Sequence, residues 1–192
     1  MELNGRLDRR VRYTRMVIRE SFIGLLARKP MSKITVKEIC AAADVNRATF
    51  YAHYADQYAL LGAIEADVLR ALNEYVRDEI YRGEPGEITL AMFRKMLTYI
   101  FENADVIKTL LNTNTEDLNF QHIIIQMFGE QFVAARQGGA VSAEQAEFIF
   151  RFVAFGAIGV IRCWLDTGCR QPPAELAELL QNLTFQGMIP YK

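Results

Sequence analysis

Between residues 47 and 53 the sequence places four side chains that can bind nucleic acid: Arg47, Thr49, Tyr51 and His53. The planar guanidinium of Arg47 matches the O6 and N7 acceptors of guanine in the major groove of DNA. The Thr49 methyl can contact a thymine and its hydroxyl a base or a phosphate. Tyr51 and His53 suit phosphate oxygens, contacts that fix register rather than read sequence. Together these residues predict a helix that reads DNA.

Residues on both sides of these four supply further candidates for DNA contact. Thr35 stands at a predicted helix N-terminus, where free amides suit a phosphate oxygen, and Lys37 follows within one turn. Ala48 can offer methyl contact to a thymine. The Tyr54 ring is expected to pack in the core with its hydroxyl facing the DNA. The predicted DNA-binding residues are therefore Thr35, Lys37, Asn46, Arg47, Ala48, Thr49, Tyr51, His53 and Tyr54.

The spacing of residues 35–54 predicts two short helices joined by a tight turn. Thr35 and Glu38 form a capping box that opens the first helix. Asn46 is a favourable N-cap for the second helix, and Asp44 tolerates the left-handed backbone of a turn. Phe50 is expected to pack inward. The unit is typical of a helix-turn-helix, and an ordinary helical hairpin inside a bundle is the alternative that spacing alone leaves open.

The charge distribution favours the DNA-binding interpretation. Residues 1–54 contain eleven Lys or Arg and five Asp or Glu, whereas residues 55–192 contain eleven and eighteen, so the net charges are +6 and −7. A basic first quarter around a helix-turn-helix is the electrostatic footprint of phosphate contact. For Arg6, Arg9 and Arg10 taken alone, a solvated basic tail explains the charge equally well.

Helical spacing along the whole chain predicts an all-α fold. The 192 residues accommodate an N-terminal three-helix helix-turn-helix DNA-binding domain at 1–55 and a larger helical-bundle regulatory and dimerisation domain at 56–192. Residues 1–15 are charged and polar, unlike a signal segment. The three cysteines are odd in number and lack metal-ligand spacing, which indicates a reducing cytoplasm. We expect a cytoplasmic protein without a membrane span, a metal or a cofactor.

Two predicted C-terminal helices, over 143–167 and from 172–173 to about 183, are candidates for a dimer contact. The first opens with a capping box of Ser142 and Gln145 and is the most apolar in the chain. Its uncharged stretch, 152–161, is too short to span a bilayer, so a helix buried in protein is expected. An internal core helix of a monomer is the alternative. The predicted interface residues are Phe152, Gly156, Gly159, Cys163, Leu176, Leu179, Leu180 and Leu183.

Residues 14–61 carry a longer spaced motif that includes the two-helix unit. Its members are Thr14, Ile18, Phe22 and Leu25 in a first helix, then Thr35, then Tyr51-Ala52-His53-Tyr54, then Leu60-Leu61. This motif resembles the DNA-binding domain of the tetracycline-repressor (TetR) family of bacterial transcription regulators. Asp44 replaces the usual glycine of the turn, and Gln57 replaces a frequent lysine at the start of the fourth helix. The aromatic residues around Phe50 and Tyr58 resemble the subgroup typified by dihydroxyacetone-kinase regulators.

The resemblance implies a homodimeric repressor that binds a palindromic operator in double-stranded DNA and senses a small-molecule effector. A protein effector is also open, since some members of the subgroup work with a protein coactivator; that alternative is a transcriptional activator controlled by a protein partner. An effector acts only through unequal affinity for the DNA-competent and incompetent states. Candidate pocket residues, which could equally form a solid core, are Phe93, Met96, Tyr99, Ile100, Phe120, His122, Met127, Phe155 and Arg162.

An enzyme interpretation has little support in the sequence. The chain has two histidines, one of them assigned to DNA, and no clustered Cys, His and Asp motif. The other class to weigh is a helical-bundle protein-interaction module without operator specificity. Salt dependence distinguishes a DNA-binding regulator from such a module, because DNA binding through several phosphates weakens steeply with ionic strength.

Overall fold

The computed structural model describes residues 2–80, 90–113, 120–126 and 142–187. Within these ranges the regular elements are all helices, which confirms the predicted all-α fold. The helices are α1 (Glu2–Leu26), α2 (Val36–Ala43), α3 (Arg47–Tyr51), α4 (Gln57–Ile80), α5 (Leu90–Glu102), α6 (Ala104–Asn112), α7 (120–126), α8 (Ala143–Asp166) and α9 (Pro173–Gly187), with a 3₁₀ turn at Met31–Lys33.

The chain packs as two compact units, Met1–Val68 and Leu69–Lys192. The division falls within α4, so the first turns of that helix pack with the N-terminal unit. The sequence places the functional boundary after residue 55, just before α4 begins. That boundary concerns which residues contact DNA, and it stays a prediction.

The N-terminal unit has a core to which every one of its α-helices contributes. Burying each large apolar side chain stabilises the unit by roughly 1.5–3 kcal/mol. The short helices α2 and α3 are therefore held mainly by packing, because helices of 8 and 5 residues are too short to be stable alone. The least exposed side chains of its α-helices are Ile18 and Phe22 of α1, Ile39 of α2, Phe50 of α3, and Leu60, Leu61 and Ile64 of α4.

The turn between α2 and α3 is built as the sequence predicts. The capping box at Thr35 and Glu38 is present, and the Asn46 side chain accepts a hydrogen bond of 2.7 Å from the Thr49 amide. Asp44 ends α2 with φ 52° and ψ 46°, in the left-handed region. Asp56 opens α4 by accepting from the Ala59 amide at 2.8 Å.

The C-terminal unit is organised by two helix pairings. Helix α5 packs along α9, and α6 contacts α8. The predicted capping box of Ser142 and Gln145 is present at the start of α8. The turn to α9 is fixed by Trp164, whose indole Nε1 donates to the Gln171 carbonyl at 2.9 Å. The most deeply buried apolar residues here include Leu97, Ile100, Leu110, Phe120, Trp164, Leu176, Ala177 and Leu180.

Most predicted helix boundaries agree with the structure to within a few residues. The helix expected over 143–167 is α8, Ala143–Asp166. The last helix was expected to end near Leu183 and continues to Gly187, because no glycine or proline stands between these positions. The sequence pattern also predicts that α7 continues to about residue 135 and that segments 83–86 and 137–139 end helices; these positions lie outside the described residues.

The left-handed conformation of Asp44 can be tested by substitution. Asp44→Gly is expected to keep the free energy of unfolding within about 1 kcal/mol, since glycine adopts positive φ without steric cost. Asp44→Val is expected to lower it by about 1–3 kcal/mol, because a β-branched side chain is strained there. Urea unfolding measures both variants. Equal stability of Asp44→Val and the parent would contradict this account of the turn.

Candidate nucleic-acid interface

The N-terminus of α2 presents backbone donors and a cation to solvent. The amides of Val36 and Lys37 have no acceptor within the helix, because they belong to its first turn. The Lys37 side chain is exposed. The Thr35 hydroxyl donates to the Glu38 carboxylate at 2.8 Å, so its proton is used inside the capping box. A phosphate at this end would therefore meet two amides and Lys37 rather than a hydroxyl donor.

Glu38 is held by three donors. Lys29 Nζ donates to Glu38 Oε1 at 2.5 Å, and the Thr35 amide and hydroxyl donate to Oε2 at 3.0 and 2.8 Å. The hydrogen bond from Lys29, followed by those from Thr35, lowers the pKa of Glu38 from 4.5 to about 2. The ionised carboxylate thus fastens the segment after α1 to the start of α2. The spacing of Thr35 and Glu38 predicts the capping box, whereas it gives no indication of the contact with Lys29.

Helix α3 presents its first residues to solvent. Arg47 and Ala48 are exposed, as a base-reading role requires. The next residue is tied to the cap, since the Thr49 hydroxyl donates to Asn46 Oδ1 at 3.0 Å. Asn46 therefore fixes the start of the helix. The Thr49 methyl and the Asn46 side-chain amide nitrogen take no part in these hydrogen bonds and can still contact DNA.

Phe50 anchors the aromatic residues around it. Its buried ring lies 5.7 Å from the Tyr51 ring, nearly perpendicular to it, and 5.8 Å from the Tyr54 ring, measured between centroids. Tyr51 is exposed and His53 is half-buried beside Tyr54. The Tyr54 ring is buried, as expected. Its hydroxyl, predicted to face DNA, accepts a hydrogen bond of 3.4 Å from Arg15 Nε.

Two arginines of α1 have structural roles that sequence reasoning missed. The hydrogen bond to Tyr54 raises the pKa of the Arg15 guanidinium. Arg19 forms an ion pair with Asp67 that joins α1 to α4. The partners lie 39 and 48 residues away along the chain, so no local spacing could reveal them.

Helix α8 exposes an apolar face that contains its predicted dimer residues. Phe152 is 81% exposed, and Gly156, Gly159 and Cys163 are exposed at helical spacing from it. Phe148 and Phe155, 62% and 50% exposed, extend the same face. Phe155 had been predicted for the effector pocket. Its exposure beside Phe152 makes it a candidate for the dimer face as well, and its place in the pocket stays a prediction.

The four predicted leucines of α9 divide between two faces. Leu176 and Leu180 are buried in the protomer, where α9 packs along α5. Leu179 and Leu183 are exposed. All four recur at helical spacing, which cannot distinguish a face turned toward the protomer's own core from a neighbouring face. Leu176 and Leu180 are therefore core residues, and Leu179 and Leu183 remain candidates for an interface.

The predicted effector-pocket residues also differ in burial. Phe93, Ile100 and Phe120 are buried, and Met96 and Tyr99 are half-buried. His122 is exposed, and Met127 lies outside the described residues. The Tyr99 ring lies 5.8 Å from the ring of Tyr75 on α4.

Arg162 is the half-buried cation of this group. Its guanidinium donates to the Leu111 carbonyl, in the last turn of α6, where a cation is favourable. Its Nε is buried and has no hydrogen-bond partner among the described residues. Arg162 therefore ties α8 to α6 and keeps one buried donor unsatisfied, which is unusual in folded proteins.

The described residues hold no group of three or more His, Cys, Asp or Glu side chains placed to bind a metal ion. Cys40 is buried on α2, and burial raises the pKa of its thiol. The thiol is therefore neutral at physiological pH and packs as a small apolar group.

By length and composition alone, α8 is a candidate membrane span, and it is the one such helix in the described part of the chain. Helices that bury an apolar face against another protein helix satisfy the same criterion. The exposed apolar face of α8 around Phe152 is a surface of this kind, so length and composition fit a protein-packing helix as well as a membrane span.

The short helix α3, exposed at its start and anchored by a buried aromatic in a basic head, defines a helix-turn-helix protein of the DNA-binding class. Residues 23–64 match the family model described as "Bacterial regulatory proteins, tetR family". Residues 88–186, more than half of the chain, match the model "Transcriptional regulator C-terminal region" of the same family. The chain belongs to the TetR family of bacterial transcription regulators.

A curated relative from Bacillus subtilis (strain 168) is described as "Uncharacterized HTH-type transcriptional regulator YxbF". It is 30% identical over 186 residues, which cover 95% of this chain and 47% of the relative. The chain thus spans about half the length of the curated relative it matches.

Solved structures share the fold at low sequence identity. The dihydroxyacetone kinase operon activator DhaS matches with a TM-score of 0.60 and 19% identity over 93% of this chain and 98% of its own. Thermus thermophilus FadR, a TetR-family repressor in complex with lauroyl-CoA, matches with a TM-score of 0.58 and 22% identity over 91% and 95%. These likenesses support the fold alone, so the subgroup stays a prediction.

The contacts of Glu38 predict a pH-dependent stability. The pKa of Glu38 is about 2 in the folded protein, below its ordinary value of 4.5, so its contribution is complete above pH 4.5 and is lost as the pH falls toward 2. Glu38→Gln is expected to lower the thermal midpoint at pH 7. The difference from the parent should shrink as the pH falls from 5 toward 3. A constant difference over this range would show that the ionised carboxylate is not the stabilising group.

Proposed function

We propose that this chain is a dimeric, sequence-specific transcriptional regulator of the bacterial cytoplasm, with α3 in the major groove of a palindromic operator. The observation that carries the proposal is the exposure of Arg47 and Ala48 on a helix whose orientation is set by buried Phe50. Recognition helices present their N-terminal residues to base edges in this way. The net charge of +6 over residues 1–54 suits the phosphate backbone.

The exposed residues divide between reading bases and setting register. Arg47 reads a guanine, while Ala48 and the Thr49 methyl contact a thymine. Lys37 and the first amides of α2 bind a phosphate at one side of the groove. Tyr51 and His53 bind phosphates near the other end of α3. Asn46 and Thr35 act mainly as helix caps, and Tyr54 acts through its packing.

Dimerisation through the exposed faces of α8 and α9 follows from their composition. Phe152, Leu179 and Leu183 would be costly to leave in water, and Gly156 and Gly159 let a second helix approach closely. Four helices, two from each protomer, would bury these faces about a two-fold axis. A palindromic operator matches that symmetry.

The C-terminal unit is proposed to sense a small-molecule effector that releases the operator, as in a repressor. The lauroyl-CoA complex of the Thermus thermophilus neighbour supports this assignment by analogy. Arg162, with its unsatisfied buried Nε, is the polar residue best suited to contact a ligand. A second candidate is an activator controlled by a protein partner. The neighbour DhaS, named as an operon activator, supports by analogy the activator role alone.

The role of Arg47 gives a direct prediction. Arg47→Ala is expected to weaken operator binding by about 1–3 kcal/mol and to relax specificity at one base position of each half-site. Binding to the selected operator and to its single-base variants measures both effects. A uniform loss on every operator variant would show that Arg47 contacts only phosphate.

Dimerisation can be tested at Phe152. The double variant Phe152→Glu, Leu183→Glu is expected to be monomeric, because it places one charge on the face of α8 and one on the face of α9. Phe152→Leu keeps the face apolar and should remain dimeric. Sedimentation velocity measures the mass, and circular dichroism checks the fold. A dimer of unchanged affinity in the charged variant would place the interface elsewhere.

A further inference from the structure

Residues 9–13 of α1 are all exposed to solvent. The next buried residue along the helix is Ile18. We call residues 9–13 the α1 extension. A helical segment that buries little apolar surface gains little stability from packing, on which most helices in proteins depend. Contact with a partner would therefore add the stabilisation that the extension lacks.

The charge of this segment selects the kind of partner. Residues 9–19 contain five arginines and no Asp or Glu. Arg19 is neutralised by Asp67, and Arg15 is held at Tyr54. Arg9 and Arg10 are exposed and form no ion pair with another described side chain. Exposed Tyr13 lies one turn beyond Arg9 on the same side of the helix.

The position of the extension connects it to the candidate DNA surface. Arg15, two residues after the α1 extension, donates a hydrogen bond of 3.4 Å to the Tyr54 hydroxyl. This contact places the C-terminal end of the extension near the end of α3 and near His53, whose ring neighbours that of Tyr54. Helical rise puts Arg9 about 9 Å further along the axis. That length corresponds to two or three base-pair steps of about 3.4 Å, enough to reach phosphates outside the segment read by α3.

We propose that the α1 extension is a second DNA-contacting element, in which Arg9 and Arg10 bind phosphates of the duplex that flanks each half-site. The proposal rests on the proposed function, because it assumes that α3 is seated in the major groove. It makes the footprint of each protomer longer than the helix-turn-helix alone. The extension adds affinity and salt dependence without reading sequence.

A protein partner is a poorer match for the same residues. A second copy would bring another arginine-rich extension, and like charges repel. A duplex supplies closely spaced negative charges along its whole length, so the match does not depend on a particular sequence.

The test measures duplex binding as a function of salt for the full chain and for Arg9→Ala, Arg10→Ala. Alanine keeps helix propensity, so the variant removes charge without disrupting the helix. Each phosphate contact contributes about 0.9 to the slope of log K against log salt, so the slope should decrease by about 2 per protomer. Arg9→Lys, Arg10→Lys should keep the slope, and Arg170→Ala, an exposed arginine of the C-terminal unit, should leave it unchanged.

Duplex length gives an independent readout. The parent should lose affinity when the operator is trimmed to its half-sites, whereas the double alanine variant should not. Amide hydrogen exchange in residues 9–13 should slow when the longer duplex binds. An unchanged slope and unchanged length dependence in the double variant would overturn the proposal while leaving the proposed function intact. Protection that rises with protein concentration without DNA would overturn it in favour of self-association. A parent without salt-dependent duplex binding would overturn both.

Discussion

The burial of Phe50 is the constraint on which the DNA-reading surface depends. Helix α3 has five residues, far fewer than a helix needs to be stable in isolation. Phe50 is fully buried and contacts the Tyr54 ring, so packing rather than helical hydrogen bonding fixes the direction of α3. Ala48 lies on the opposite side of the same short helix, about 200° around the axis from Phe50, and Arg47 is exposed in the first turn.

Polar contacts hold the helix ends and the turns of the N-terminal unit, which lie outside its apolar core. Asn46 and Asp44 set the start of α3 and the turn before it, while Glu38 joins α2 to Lys29. Arg15 and Arg19 connect α1 to Tyr54 and Asp67. The contacts of Lys29, Arg15 and Arg19 each join two segments of the N-terminal unit. The unit therefore holds its candidate contact residues on a rigid frame, which suits a surface that must match DNA geometry without rearrangement.

The all-α fold, the helix caps and the turn between α2 and α3 could be predicted from the sequence, because they depend on interactions between residues close together in the chain. Capping boxes at Thr35 and Ser142, the left-handed turn at Asp44 and the cap at Asn46 each involve residues within four positions. Contacts between distant segments could not be predicted in this way. Helical spacing groups Leu176 and Leu180 with Leu179 and Leu183, and only packing against α5 separates the buried pair from the exposed pair. Helical spacing likewise does not show that half of the Phe155 side chain is exposed.

Sequence specificity together with two-fold symmetry is the central claim, and selection from a random duplex pool with the purified protein tests both at once. The proposed function predicts enrichment of an inverted repeat whose half-sites lie about one helical turn or more apart. The absence of enrichment, or enrichment of a single unrepeated site, would contradict a two-headed regulator.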